Sequence, residues 1–184
     1  MHCDFLVRLQ QPGDAAAVTI LQEEAFGPGR FARTAYRVRE TSPCAQIALT
    51  AWDGDALVGA IQLTAVTIGG QRGAMLLGPL AIDPAYKGKG CGLRLIQDGL
   101  AEARDEGYRI VVLVGDLPYY GRAGFVTVPA RRIALPGPAD PARILAAELA
   151  PGALAGYQGI IAADDRGVNA ARLANPLPRP PSPG

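Results

Sequence analysis

Histidine is almost absent from this chain of 184 residues, in which His2 is the only one. A Ser-His-Asp triad, a Cys-His pair and an HExxH zinc site each need a histidine inside the fold. His2 stands beside the start of the chain, where residues usually fray, so we do not expect it in such a site. Histidine-dependent hydrolysis is therefore a poor interpretation of this protein.

Cysteine is also scarce, and Cys3, Cys44 and Cys91 stand far apart without a CxxC pair. Metal sites built on cysteine need closely spaced ligands, so the sequence predicts no metal. Free cysteine usually behaves as a small buried hydrophobe, and we expect three buried or half-buried thiols.

Long apolar runs and an excess of charge are missing too. No apolar run reaches the roughly 18 residues that a membrane-spanning helix needs. The formal net charge is +1, so no overall field attracts nucleic acid or a membrane surface. The first residues, MHCDFLVRLQQPGD, lack the apolar core of a secretion signal. We therefore expect a cytoplasmic protein without nucleic-acid or membrane partners.

The patterns that are present predict one domain over residues 1–165 and a Pro-rich, disordered tail over 166–184. The domain is of the α/β (α+β) class. The hairpin signals Asp53-Gly54 and Gly69-Gly70 separate three apolar segments, which predicts an antiparallel meander. Its strands are predicted over 44–53, 55–69 and 73–83.

Helical spacing of apolar residues predicts helices over 15–25, 31–39, 90–106 and 140–150, the first one capped by Asp14. Further strands are predicted over 4–9, 109–116, 125–129 and 154–165, and a short helical segment begins at 117. A helix joins the strands of Leu80 and Val111, so these two strands should be parallel neighbours.

Gly78 and Pro79 interrupt the strand over 73–83. Proline donates no ladder hydrogen bond and glycine weakens regular pairing, so a central strand should avoid both. A bulge reconciles the two observations, because a bulged strand bends and parts from its neighbour. Parting strands leave a cleft with unpaired backbone groups at their carboxyl ends, where α/β sheets commonly bind ligands.

Directly after this strand the sequence reads DPAYKGKGCGLRLI. Its glycines allow a tight turn close to a ligand, and the helix that follows directs free N–H groups into that turn. With Lys87 and Lys89 added, the turn suits a pyrophosphate, although a plain tight turn is the alternative. A Walker P-loop and a GxGxxG dinucleotide fingerprint are both absent, which argues against NTPase and dehydrogenase interpretations.

The stretch LAIDPAYKGKGCGLRLI resembles the acetyl-CoA motif of the Gcn5-related N-acetyltransferases (GNAT), whose loop signature is [QR]xxGx[GA]. Lys87 stands in the Gln or Arg position. Its ammonium group can meet a phosphate as a point charge, whereas a planar guanidinium would donate two parallel hydrogen bonds. VVLVGDLPYYGRAGF is similar to the strand and short helix before the Gly-Phe of that fold, and GDxxYYxRxGF with PGALAGYQGII resembles its YhbS-like branch.

The resemblance implies a mostly antiparallel central sheet with a parallel, splayed strand pair at the coenzyme cleft. It implies acetyl-CoA as the acyl donor, with backbone donors at Leu80 and Ile82 for the pantetheine arm. The full set of coenzyme-binding residues that it implies is Leu80, Ala81, Ile82, Lys87, Gly88, Lys89, Gly90, Cys91 and Gly92. Cys91 is expected to be a packed hydrophobe, with an acyl-carrying nucleophile as the alternative.

The tyrosine four residues before the Gly-Phe pair is Tyr120, and the resemblance implies that it faces the coenzyme sulfur. A phenol, with a pKa of about 10, keeps its proton at neutral pH and can protonate a departing thiolate. Tyr119 is the second candidate. Asp116 stands where many members have Asn, so its contact with the coenzyme arm is left open, and no general base is assigned among Glu23 and Glu24.

The expected function is transfer of an acetyl group from acetyl-CoA to a primary amine by direct attack in a ternary complex. The acceptor is expected to be a small molecule, and a homodimer is compatible with the sequence. Arg30, Arg33, Arg37 and Arg39 either attract an acidic acceptor or form a solvated helix face. The alternative from another class is a module that binds acyl-CoA without turnover.

Overall fold

A nine-stranded sheet forms the centre of the computed structural model, which describes residues 5–27, 38 and 46–165. Its strands are β1 (Leu6–Leu9), β2 (Gln46–Asp53), β3 (Ala56–Ile68), β4 (Gln71–Ile82), β5 (Ile110–Val114), β6 (Val126–Thr127), β7 (Ile133–Ala134), β8 (Ile144–Glu148) and β9 (Gly159–Ala163). The helices whose bounds lie within the described residues are α1 (Ala15–Phe26), α2 (Cys91–Asp105) and the single turn α3 (Leu117–Tyr120).

The first four strands follow one another across the sheet as an antiparallel meander, and the order continues through β5 and β8 to β6. β4 and β5 are parallel, while β5 and β8 are antiparallel. The prediction of a mostly antiparallel sheet with one parallel pair beside the glycine turn is confirmed. The short β7 was not predicted, and it forms a second parallel pair with β9.

Apolar side chains cover both faces of the sheet. On one face, Leu95 and Ile96 of α2 pack with Ile61 and Leu63 of β3. On the other face, α1 packs on Ala60 and Ala81, and a further cluster continues along β3 under β9. Because neighbouring residues of β3 alternate between these faces, the strand is buried on both sides, as its nearly continuous apolar run indicates.

The predicted capping role of Asp14 is wrong. Its carboxylate forms an ion pair with Arg8, with 2.6 Å between Oδ2 and Nη1, and accepts a hydrogen bond from the Gln11 N–H at 2.7 Å. The same carboxylate makes no capping bond to α1 in the described part of the chain. Asp14 therefore joins β1 to the turn before α1.

The predicted helix over 140–150 is also wrong. Asp140 caps only a three-residue turn, Pro141–Arg143, after which the chain continues as β8. The first four residues of β8 are all buried, because β5 and β6 flank the strand and apolar clusters cover it. A short apolar run carries no period that separates such a strand from a buried helix.

The predicted tail over 166–184 lies outside the described residues, and so does the predicted helix over 31–39 except for Val38, which is helical and buried. Cys3, Cys44 and the four arginines between 30 and 39 lie outside them as well. Within the described ranges, no helix has the length and apolar character that crossing a membrane requires.

Candidate active site

β4 and β5 separate where the sequence predicts a bulge. Their last ladder pair within the described residues joins Leu76 to Val112. On its other side β4 stays paired with β3, but the register shifts between the pairs Leu63–Leu77 and Ile61–Leu80. Across this shift Gly78 and Pro79 of β4 stand opposite the single residue Gln62 of β3, so the predicted bulge and the predicted splay coincide.

The direction of the β4 backbone groups beyond the bulge follows from one hydrogen bond. The Asp83 N–H donates to the Val58 carbonyl of β3 at 2.9 Å. Successive N–H groups of a strand point to opposite neighbours. The N–H groups of Leu80 and Ile82 therefore point away from β3, into the gap that β5 leaves open.

The turn after β4 leads directly into the amino end of α2. Gly88 and Gly90 have φ angles of +78° and +89°, a left-handed conformation that favours glycine. The first backbone bond of the helix runs from the Arg94 N–H to the Gly90 carbonyl at 3.0 Å. The N–H groups before Arg94 have no acceptor within the helix, and they carry the positive end of its dipole.

The splayed strands and the turn line one cleft of about 680 Å³. Its charged lining residues are Lys87, Lys89 and Arg122, and no carboxylate is among the described residues that line it. Three cations beside a helix amino end make a strongly electropositive surface. The cleft is therefore suited to an anion with more than one charge. Its other lining residues are Ala25, Phe26, Leu80, Ile82, Tyr86, Gly88, Gly90, Gly92, Leu93, Tyr119 and Tyr120.

Two of the residues expected to bind coenzyme have side chains outside this cleft. Ala81 is 1% exposed and packs under α1, and it pairs with Ala60 of β3. Cys91 is 1% exposed in the cluster beneath α2, and burial raises the pKa of its thiol to about 11. The structure thus agrees with a packed Cys91 and opposes a reactive thiolate there, since a nucleophilic cysteine needs a lowered pKa.

Tyr120 lines the cleft, next to the carboxyl end of β5. Its ring packs over Gly115, where a Cβ would come within 2.7 Å of the ring atom Cδ2. An edge contact at 5.9 Å joins the same ring to Phe125 of the core. Gly115 therefore makes room for the ring, a role that the sequence analysis missed.

Tyr119 lines the cleft as well, and it faces α2. A Cβ at Gly92 would overlap the Tyr119 hydroxyl oxygen, while the ring carbon Cζ would lie at an ordinary 3.5 Å. Gly92 has no left-handed φ, in contrast to Gly88 and Gly90. The glycine at this position thus leaves room for a side chain rather than allowing a tight turn.

Tyr86 holds the turn to the β2–β3 hairpin. Its hydroxyl donates to Asp53 Oδ2 at 2.8 Å, and the Lys89 Nζ lies 4.7 Å from its ring centroid. An ammonium over an aromatic face is attracted by the ring quadrupole. Lys89 is thereby directed across Tyr86, which leaves Lys87 as the lysine of the turn with no such restraint in the described region.

Asp116 does not face the cleft. Its carboxylate accepts from the Arg143 Nε at 3.1 Å and its side chain is 72% exposed. Glu23 and Glu24 are exposed on α1, and α1 contributes Ala25 and Phe26 to the cleft instead. Arg122, which stands within the GDxxYYxRxGF pattern, also lines the cleft and was not predicted there.

Comparison with known proteins identifies the family. Residues 15–125 match the model of the acetyltransferase (GNAT) family. The uncharacterized N-acetyltransferase YhbS of Escherichia coli K12 is 27% identical over 159 residues, which are 85% of this chain and 95% of YhbS. The uncharacterized N-acetyltransferase YjhQ of the same strain is 32% identical over 126 residues, 66% of this chain and 69% of YjhQ.

Solved structures give the same result. A crystal structure of YhbS from Escherichia coli, in complex with CoA, superposes with a TM-score of 0.76 at 27% identity, covering 86% of this chain and 89% of that one. A GNAT acetyltransferase from Brucella melitensis, in complex with acetyl-CoA, gives 0.66 at 30% identity, covering 88% and 96%. Since the family model spans more than half of the sequence, this protein belongs to the GNAT acetyltransferase family.

Proposed function

We propose that this protein moves an acetyl group from acetyl-CoA to a primary amine of a small acceptor, in a ternary complex. The observation that carries the proposal is the cleft itself. It combines three cations without a described carboxylate, a helix amino end and two unpaired strand N–H groups. The YhbS and Brucella structures, which contain CoA and acetyl-CoA, support the identity of the donor.

The chain's residues fit each part of such a donor. The turn of Lys87, Gly88, Lys89, Gly90 and Gly92, with the backbone N–H of Cys91, meets the diphosphate. The N–H groups of Leu80 and Ile82 pair with the amide carbonyls of the pantetheine arm, as an added strand would. Ala81 contributes only packing, because its backbone faces β3 and its side chain is buried.

Tyr120 acts at the reacting end of the cleft. The donor supplies an activated acetyl thioester, and the neutral amine attacks its carbonyl carbon. A free N–H of the bulged strand stabilises the negative charge that develops on the carbonyl oxygen. The Tyr120 hydroxyl then gives its proton to the thiolate sulfur as the carbon–sulfur bond breaks. No metal takes part in this proposal.

The acceptor class rests on the sequence rather than on the cleft. A small amine, a cytoplasmic location, a homodimer and the single domain over 1–165 all stay predictions. The described residues beside Tyr120 assign no general base, so proton removal from the amine is left to a carboxylate or to solvent.

The experiment that tests the proposal is a thiol-release screen. Acetyl-CoA is incubated with the protein and with amines, amino acids and polyamines, and the free thiol is measured. We expect release that depends on one class of acceptor. Tight acetyl-CoA binding without any acceptor-dependent release would favour the binding module without turnover.

A further inference from the structure

The Tyr119 hydroxyl is an unused hydrogen-bond donor inside the cleft. It lies against Gly92, the second residue of α2, and no hydrogen bond to it is found in the described part of the chain. Tyr119 is 38% exposed and lines the cleft, so it can meet a ligand there. Water can satisfy such a donor in the free protein, and a ligand acceptor in the cleft can take the place of that water.

Backbone donors, a cation and the Cys91 thiol lie near this hydroxyl. The first-turn N–H groups of α2 lie beside it, and Arg122 is close enough to act on the charge of the phenol. Burial raises the pKa of Tyr119 more than Arg122 lowers it, so the phenol keeps its proton at neutral pH. A protonated phenol can donate a hydrogen bond to an acceptor, and an anionic acceptor suits the cations that line the cleft.

We propose that the Tyr119 hydroxyl donates a hydrogen bond to a diphosphate oxygen of the coenzyme, at the first turn of α2. This rests on the proposed function, because it takes the coenzyme as given. The phenol adds a side-chain donor to the backbone donors at the amino end of α2. Gly92 leaves the space that the hydroxyl occupies.

The ring that carries the hydroxyl is held in place. Tyr119 and Tyr120 make an edge contact with 5.0 Å between centroids and 90° between planes. Tyr120 in turn packs on Gly115 and Phe125. Because the ring is restrained before the ligand arrives, little side-chain freedom is lost on binding. Tyr119 is therefore a binding residue, while Tyr120 acts on the sulfur.

The test measures CoA affinity by titration calorimetry in wild-type protein and in Tyr119→Phe. Hydrogen bonds to charged groups are strong, so we expect the Kd for CoA to rise by about 10-fold to 100-fold. Tyr157→Phe is the matched control. It removes the same single oxygen, which donates to the Arg72 carbonyl at 2.7 Å, far from the cleft lining. Its Kd should stay within about two-fold of wild type.

Gly92→Ala tests the same contact without deleting the hydroxyl. The new methyl overlaps the hydroxyl oxygen and displaces it, so the Kd should rise as in Tyr119→Phe. In the double variant the methyl fits, because the ring carbon Cζ lies 3.5 Å away. The double variant should therefore bind no worse than either single one, whereas independent effects would multiply.

Dephospho-CoA keeps the diphosphate and lacks the 3′-phosphate. Tyr119→Phe should raise the Kd for dephospho-CoA by the same factor as the Kd for CoA. If Tyr119→Phe raises the Kd for CoA but not the Kd for dephospho-CoA, the hydroxyl binds the 3′-phosphate and the proposal is overturned. An unchanged or lower Kd in Tyr119→Phe overturns it too, while leaving the proposed function intact. If the wild-type protein binds no CoA, both the proposed function and the proposed role of Tyr119 are wrong.

Discussion

The ring of Tyr120 and the backbone of Gly115 are in direct contact, so that no side chain larger than hydrogen fits between them. The contact fixes the ring at the carboxyl end of β5, within the cleft that Leu80 and Ile82 also line. A restrained phenol in this position can serve the reaction without losing rotamer freedom at each turnover.

Tyr120→Phe should lower turnover and leave coenzyme affinity within a few-fold. The change deletes one oxygen and keeps the ring, and general acid catalysis contributes about 10²–10⁴ in rate. The decrease in kcat should be near 10² if the coenzyme thiolate, whose thiol has a pKa of about 8.5, leaves without an acid. Steady-state kinetics with the acceptor from the screen give kcat and the KM for acetyl-CoA separately.

Tyr119→Phe is the matched comparison, and it should lower coenzyme affinity rather than turnover. Its affinity for acetyl-CoA falls while turnover at saturation changes little, because its hydroxyl binds the donor in ground and transition states alike. A large kcat loss in Tyr119→Phe with an unchanged Tyr120→Phe would mean that Tyr119 protonates the thiolate.

Coenzyme binding should raise the melting temperature of the protein. A ligand at 100 times its Kd adds about 2.7 kcal/mol to the free energy of unfolding. For a chain of this size that corresponds to a shift of about 5–10 °C. CoA and acetyl-CoA should both produce it, whereas pantetheine, which lacks the diphosphate, should produce much less. Equal shifts from all three ligands would contradict diphosphate binding at the turn.

The parts of the site that sequence predicted are those fixed by neighbouring residues. Gly78 and Pro79 produce the bulge through their own backbone properties, and the glycines and lysines after β4 produce the electropositive turn. The amino end of α2 follows from its apolar spacing. Each of these features depends on residues that are close in sequence, so a short segment of the chain is enough to predict it.

The missed parts depend on contacts between distant residues. The position of the Tyr119 hydroxyl is set by Gly92, and Gly92 is small for that reason rather than for a tight turn. Asp14 forms an ion pair with Arg8 instead of capping α1, because β1 brings the Arg8 guanidinium close to its carboxylate. The chain over 144–148 becomes a strand because β5 and β6 flank it. None of these partners is visible in a local pattern.

Cys91 should resist alkylation in the folded protein. Burial raises the pKa of its thiol to about 11, so almost no thiolate exists at neutral pH. Peptide mass spectrometry after iodoacetamide treatment should find Cys91 unmodified in buffer and modified in urea. The same method should find no acetyl group on Cys91 after incubation with acetyl-CoA. An acetylated Cys91 peptide would indicate a covalent intermediate instead of direct attack.

The Arg8–Asp14 pair should make stability depend on pH. Arg8, as hydrogen-bond partner and counter-charge, and the Gln11 N–H lower the pKa of Asp14 in the folded state. A lowered carboxylate pKa stabilises the fold above the unfolded value of about 3.9, and the effect disappears as the pH falls through the folded value. Asp14→Asn should therefore destabilise the protein at pH 7 and converge with wild type in acid. Urea unfolding at several pH values measures this difference, and a gap independent of pH would contradict it.

Gly90→Val should weaken coenzyme binding at the turn. Gly90 has a φ of +89°, which a β-branched residue rarely adopts, and its missing Cβ faces open space at the cleft. The substitution shifts the turn backbone and places a side chain beside the phosphates, so calorimetry should show a large rise in the Kd for CoA. Gly152→Val is the control for strain alone, since Gly152 has a φ of +76°, open space around it and no place in the cleft lining. It should lose stability and keep affinity. Circular dichroism must show that both variants are folded, and wild-type affinity in a folded Gly90→Val would place the diphosphate away from this turn.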